Sequence, residues 1–143
     1  MRKPSGKMLA LAAAAGVAAT LLVPTAAQAA YWGSETNYVA ISSGPTGDYS
    51  CVSHTGVTAC FKPLGDLLYV RDIRADGYAA VVEWTADAPV DSYRDGSCVN
   101  NLGSGNWGVC DKDFVEGVTI VINGARYTGG NLVDRGHDLY LTT

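Results

Sequence analysis

The chain has 143 residues, a formal net charge of −4, four cysteines, three tryptophans and eight tyrosines. That length supports one compact domain rather than two. The acidic balance argues against nucleic acid and against membrane as partners, because it repels phosphate backbones and anionic lipid.

Residues 1–29 read as a secretory signal peptide. Arg2, Lys3 and Lys7 precede an apolar run at 9–23, and Ala27 and Ala29 occupy the small-residue positions ahead of a cut. The run is shorter than the ~20 apolar residues that cross a bilayer, and Pro24 closes it. No paired arginines precede it, so the general secretory route is expected rather than twin-arginine export. The expected extracellular chain starts at Ala30 or Tyr31. It keeps seven Lys or Arg against fourteen acids, a net charge near −7.

Residues 30–49 form an N-terminal segment ahead of a single all-β domain at 50–143. The segment opens "YWGSETNYVAI", with Tyr31, Trp32 and Tyr38 as large aromatics. Two readings stay open: an exposed peptide that docks on a partner, or the first strand of the domain's own sheet. After the turn cluster "SSGPTGD", "YSCVSHTGVTACF" reads as a hairpin with Thr55 and Gly56 in its loop. That register sets His54 opposite Val57 and Cys51 opposite Cys60, at a non-hydrogen-bonded site within a disulfide's reach.

"DLLYVRD" and "YAAVVEW" read as a second antiparallel hairpin, with Ala80, Val82 and Trp84 on one face. "TADAPVDSYRDG" reads as a polar link. Cys98 and Cys110 bracket "VNNLGSGNWGV", whose central "GSG" suits a three-residue hairpin loop. "VTIVIN" reads as a central strand, "GARYTGGNLVDRG" as glycine-rich connection and "HDLYLTT" as a final strand. The result is an all-β fold, a small disulfide-stapled antiparallel sandwich or barrel. Trp84, Val82, Val70, Val118, Ile120 and Ile122 are the expected core.

In an oxidising compartment an even cysteine count implies disulfides, and hairpin geometry favours Cys51–Cys60 and Cys98–Cys110 among the three possible pairings. Each closed loop contributes roughly 2.5–3 kcal/mol on the chain-entropy model. Neither spacing is the C-x-x-C of redox motifs.

Catalytic patterns are absent. His137 and Asp138 are neighbours on a strand and point to opposite faces, and Ser104 lacks the G-x-S-x-G context. "DIRADG" and "CDKDFVEG" gather acids near glycines without the spacing of a calcium loop, so no metal and no cofactor is expected. Trp107 stands in a glycine-rich loop, where a large ring either fills the core or awaits a partner.

"ACFKPLGDLLYVRDIRADGYAAVVEW" followed by "GSCVNNLGSGNWGVCDKDFVEG" resembles a group of small, secreted, two-disulfide actinomycete proteins, over residues 51–117. The chain is also similar in size and layout to the adaptor subunit of the secreted umbrella toxin particles of actinomycetes. That resemblance implies an adaptor joining a lectin subunit to a large toxin chain, with "YWGSETNYV" entering a cleft of the lectin subunit. The expectation is therefore a secreted, non-enzymatic protein–protein interaction module, with Tyr31, Trp32, Tyr38 and Trp107 as partner contacts. Deleting residues 31–38 is then expected to abolish partner binding and leave the fold intact. Two alternatives are a peptidase inhibitor presenting the Cys98–Cys110 loop and a glycan-binding module using Trp107.

Overall fold

A computed structural model describes residues 30–89 and 93–143; the signal peptide read at 1–29, and residues 90–92 of the expected polar link, lie outside the described residues. The strands in chain order are β1 (Glu35–Tyr38), β2 (Ala40–Ser42), β3 (Ser50–His54), β4 (Val57–Lys62), β5 (Leu67–Asp72) and β6 (Ala79–Asp87). They continue with β7 (Arg94–Asn100), β8 (Trp107–Asp111), β9 (Thr119–Thr128), β10 (Asn131–Arg135) and β11 (Leu139–Thr142). Two sheets pack face to face as an open sandwich. One has the order β1-β7-β6-β9-β10, with β11 also on β9, and the other has the order β2-β8-β5-β4-β3.

Alternation of side chains builds the core. From β6, Ala80, Val82, Trp84 and Ala86 point inward and meet Ile120 and Ile122 of β9 and Val57, Ala59, Phe61, Leu68 and Val70 of the opposite sheet. All six expected core residues are buried. Removing side chains of this size from water is worth about 1.5–3 kcal/mol each, which is what holds the two sheets together.

The β3–β4 hairpin has the expected register, with Cys51 opposite Cys60, and both disulfides form as paired from the sequence. Two other expected hairpins are not hairpins. β5 and β6 lie in different sheets, as do β7 and β8, so Cys98–Cys110 staples one sheet to the other. In the β5–β6 connection, Asp72 Oδ1 accepts a bond from the Arg74 N–H and Asp76 Oδ1 accepts one from the Tyr78 N–H. These local turns lift the chain across the sandwich. Two alternating strands look the same in sequence whether they pair edge to edge or face one another across a core.

The stretch read as glycine-rich connection is instead the second half of β9, through Arg126 and Tyr127, and all of β10. The polar link is also shorter than read, since β6 runs to Asp87 and β7 starts at Arg94. Central strands keep their direction through Gly124 because its neighbours in β6 supply the pairing.

Candidate functional site

The N-terminal segment is woven into both sheets. β1 runs parallel to β7, and β2 runs antiparallel to β8, so the chain passes from the edge of one sheet to the edge of the other at Val39. β1 fits against β7 because Gly96 has no side chain. A Cβ there would lie 2.5 Å from the Glu35 carbonyl oxygen and 2.8 Å from the Trp84 ring. Ser34 donates to Asp95 Oδ1 through both its N–H, at 2.8 Å, and its hydroxyl, at 2.6 Å.

Ahead of β1, residues 31 and 32 fold over the outer face of the six-stranded sheet. There Val81, Val99, Ala125 and Tyr127 form a second buried cluster under Tyr31 and Trp32. The Tyr31 ring lies 5.1 Å from that of Tyr127 and edge-on to Tyr38 at 6.3 Å. Burial, with the neighbouring Tyr38, raises the Tyr31 hydroxyl above its ordinary value. The Trp32 carbonyl accepts a bond from Ser97 Oγ at 2.7 Å. Tyr38 on β1 remains 59% exposed, and Ile41 on β2, at the neighbouring edge of the other sheet, is 76% exposed.

The structure therefore brings Tyr31, Trp32 and Tyr38 together and sets Trp107 apart. Trp107 opens β8 in the other sheet, opposite Ser42 and Arg71. The Arg71 guanidinium lies 5.7 Å from its ring, and Gly44 sits so close that a Cβ would lie 3.0 Å from its Nε1. The ring is packed under the turn after β2 instead of standing in a loop.

Beside Trp32, the outer face carries a pocket of about 220 Å³. It is lined by Glu83, Thr85, Val121 and Asn123 of β6 and β9 and by Trp32, Arg135 and Asp138. Glu83 is only 2% exposed. Its Oε1 accepts bonds from the Tyr127 hydroxyl and, at 2.8 Å, from Arg135 Nη2. Burial and then the bond to Glu83 push the Tyr127 hydroxyl up to about 12. Asn123 Nδ2 donates to Asp138 Oδ1 at 3.1 Å.

A second concavity, about 510 Å³, opens between the β5–β6 turn and the β7–β8 loop, among Asp72, Arg74, Tyr78, Asn101 and Ser104. Its loop is firmly tied. Asn100 Nδ2 donates to the carbonyls of Val70 and Asn106, and its Oδ1 accepts from the Leu102 N–H. Arg71 Nε reaches the Gly105 carbonyl, while the Gly105 N–H donates to the Asp72 carbonyl.

His54 meets Asp134 at 3.3 Å, and Arg126 links Asp134 to Asp76. No serine, threonine or cysteine hydrogen-bonds to this imidazole among the described residues; Arg126 with Asp134 and Asp76 forms an ion-pair network tying β9, β10 and the β5–β6 turn, with His54 of β3 beside it. Among the described residues no cluster of three His, Cys, Asp or Glu side chains is placed to hold a metal. Glu83, Arg135, Asn123 and Ile41 were not singled out from the sequence. Alternation in "YAAVVEW" does put Glu83 opposite the core face, but nothing in the sequence shows what would cover that side.

No protein-family model, curated protein or solved structure matches the chain.

Proposed function

We propose that the protein is a secreted, non-enzymatic module that works by protein–protein contact through the edge formed by β1 and β2. The observation that carries this is that, among the described residues, no strand pairs with the outer side of either strand, where Tyr38 and Ile41 are exposed. A strand edge offers a row of free N–H and C=O groups to an incoming extended segment, and flanking apolar side chains add specificity. Monomeric proteins commonly blunt such edges with lysine, proline or a covering loop. Residues 36–42 carry no charge and no proline. Two disulfides are consistent with work in an oxidising extracellular compartment. The adaptor role that the resemblance implies uses this same edge, with Tyr38 and Ile41 as anchors and Tyr31 and Trp32 serving mainly to seal the sheet.

The test is a pull-down from the producer's culture medium with a C-terminally tagged protein. A stoichiometric partner captured by the wild type and lost with Ile41→Lys, at unchanged melting temperature, supports the reading. Absence of any partner, or capture indifferent to Ile41→Lys and Tyr38→Ala, refutes it.

One observation favours a second reading, peptidase inhibition. The bonds made by Asn100, Asn106 and Arg71 make the Cys98–Cys110 loop rigid despite its glycines, and preorganisation is what an inhibitory loop requires. Inhibition of a secreted peptidase that disappears when this loop is cut would favour it.

A further inference from the structure

We propose that the pocket between Trp32 and Arg135 binds a neutral pyranose residue. The site is independent of the β1–β2 edge, because its polar groups come from β6, β9, β10 and the turn that leads into β11.

The argument starts from Glu83. A carboxylate 2% exposed on the outer face of a sheet is held there by Tyr127 and Arg135, and both bond to the same oxygen, Oε1. Oε2 takes no hydrogen bond from the described residues. Among the described residues, the enclosed side-chain atoms that make no hydrogen bond are His54 Nε2, Asp66 Oδ1, Trp84 Nε1 and Asn123 Oδ1. Glu83 Oε2 is not among them, so the pocket reaches it. Solvent entering the open pocket hydrates this oxygen, so an occupant that displaces it must bring a hydrogen-bond donor of its own.

The charges around the cavity decide the class of occupant. The carboxylates of Glu83 and Asp138 oppose an anion, and Glu83 already has its counter-ion in Arg135, whose guanidinium a cation would have to approach. A purely apolar molecule leaves Glu83 Oε2 unpaired. What remains is a neutral molecule rich in hydroxyls, able to donate to Glu83 Oε2 and Asp138 and to accept from Arg135 and the Thr85 hydroxyl. Trp32 supplies a flat, apolar wall with a polar N–H at its rim, which suits the C–H face of a sugar ring. The volume of about 220 Å³ holds one ring and little more. A concave site with a few convergent polar groups is the usual form of a small-molecule subsite.

The test is a ¹⁵N–¹H NMR titration of the disulfide-intact protein with the methyl pyranosides of glucose, galactose, mannose, fucose and N-acetylglucosamine. n-Butylammonium and sulfate serve as charged controls. At least one pyranoside is expected to shift the Trp32 indole N–H and Arg135 Nε signals saturably, in the millimolar range expected of so small a ligand. Asp138→Ala removes an exposed side chain and should weaken that binding about tenfold without altering the rest of the spectrum. Glu83→Gln should do the same where the fold tolerates it. The proposal is overturned if no pyranoside moves these signals, if either charged control binds as well as the best sugar, or if the shifts survive Asp138→Ala unchanged. Each outcome is independent of whether Ile41→Lys loses a partner, so the two readings stand or fall separately.

Discussion

Glu35 accepts two bonds from Arg94, at 2.7 and 3.0 Å, and one from Lys112 Nζ at 2.8 Å. The Lys112 side chain is 4% exposed and lies 4.6 Å from the Trp84 ring, so its charge is neutralised inside the end of the sandwich. The hydrogen bonds from Arg94, then those from Lys112, outweigh burial and hold the Glu35 carboxyl down at about 2, from an ordinary 4.5. A carboxyl depressed in the fold stabilises it above its unfolded value and loses that contribution as pH falls toward the folded one. The acid-sensitive window is therefore pH 4.5 down to about 2. Glu35→Gln should cost about 2 kcal/mol at neutral pH. That is less than the ~3–5 kcal/mol for breaking a fully buried pair, because Glu35 is about one-third exposed. Urea midpoints measured across pH should show the wild-type decline in that window flattened in the variant. An equal decline in both would assign the acid sensitivity elsewhere. None of this was legible in the sequence. Glu35 and Lys112 lie 77 positions apart in the chain, and a chain with fourteen acids gives no sign of which acid meets which base.

At the scale of the strand, alternation and turn chemistry were readable while partnership was not. "SHTGVT" fixed a register because two residues leave the chain no other way to return. "IRADG" and "NNLGSGN" allowed either a hairpin or a crossing between sheets, and the second occurs in both. This changes what the disulfides do. Their loops are of similar length, with separations of 9 and 12 residues, so chain entropy alone gives each roughly 2.5–3 kcal/mol. Cys51 is exposed and its partner Cys60, though buried, lies outside the inter-sheet cluster, so that bond braces a hairpin the ladder already holds, whereas Cys98 and Cys110 are both buried between the sheets. Removing Cys98–Cys110 by paired alanines should leave a core void and cost about 1–2 kcal/mol more than removing Cys51–Cys60. Denaturant midpoints of the two double variants test this. Equal losses would mean that loop closure is the whole effect and that the inter-sheet position adds nothing.

For the molecule as a whole, residues 31–42 are packed into the same two-sheet body as the rest of the described chain. β1 closes one edge, Glu35 neutralises the sandwich end, and Tyr31 with Trp32 covers Val81, Val99, Ala125 and Tyr127. The sequence permitted a separable docking peptide there, because aromatic residues ahead of any staple fit either role and a covering contact leaves no periodic signature. The structure leads to a different expectation for the deletion of residues 31–38. It should uncover the second apolar cluster and leave Lys112 and Arg94 without their carboxylate. Together these losses amount to roughly 3–5 kcal/mol. At ~4–8 °C per kcal/mol for domains slightly smaller than this, the melting temperature should fall by more than 10 °C. Amide exchange should quicken in β7, which loses its outer neighbour, before it quickens in β4 and β5. A deletion variant that melts with the wild type would show that the N-terminal segment folds onto the domain without supporting it. Until that is measured, partner loss on truncation cannot separate a missing contact from a loosened fold. A single substitution at Ile41 can, because that side chain is 76% exposed, whereas Tyr38 also packs edge-on against Tyr31.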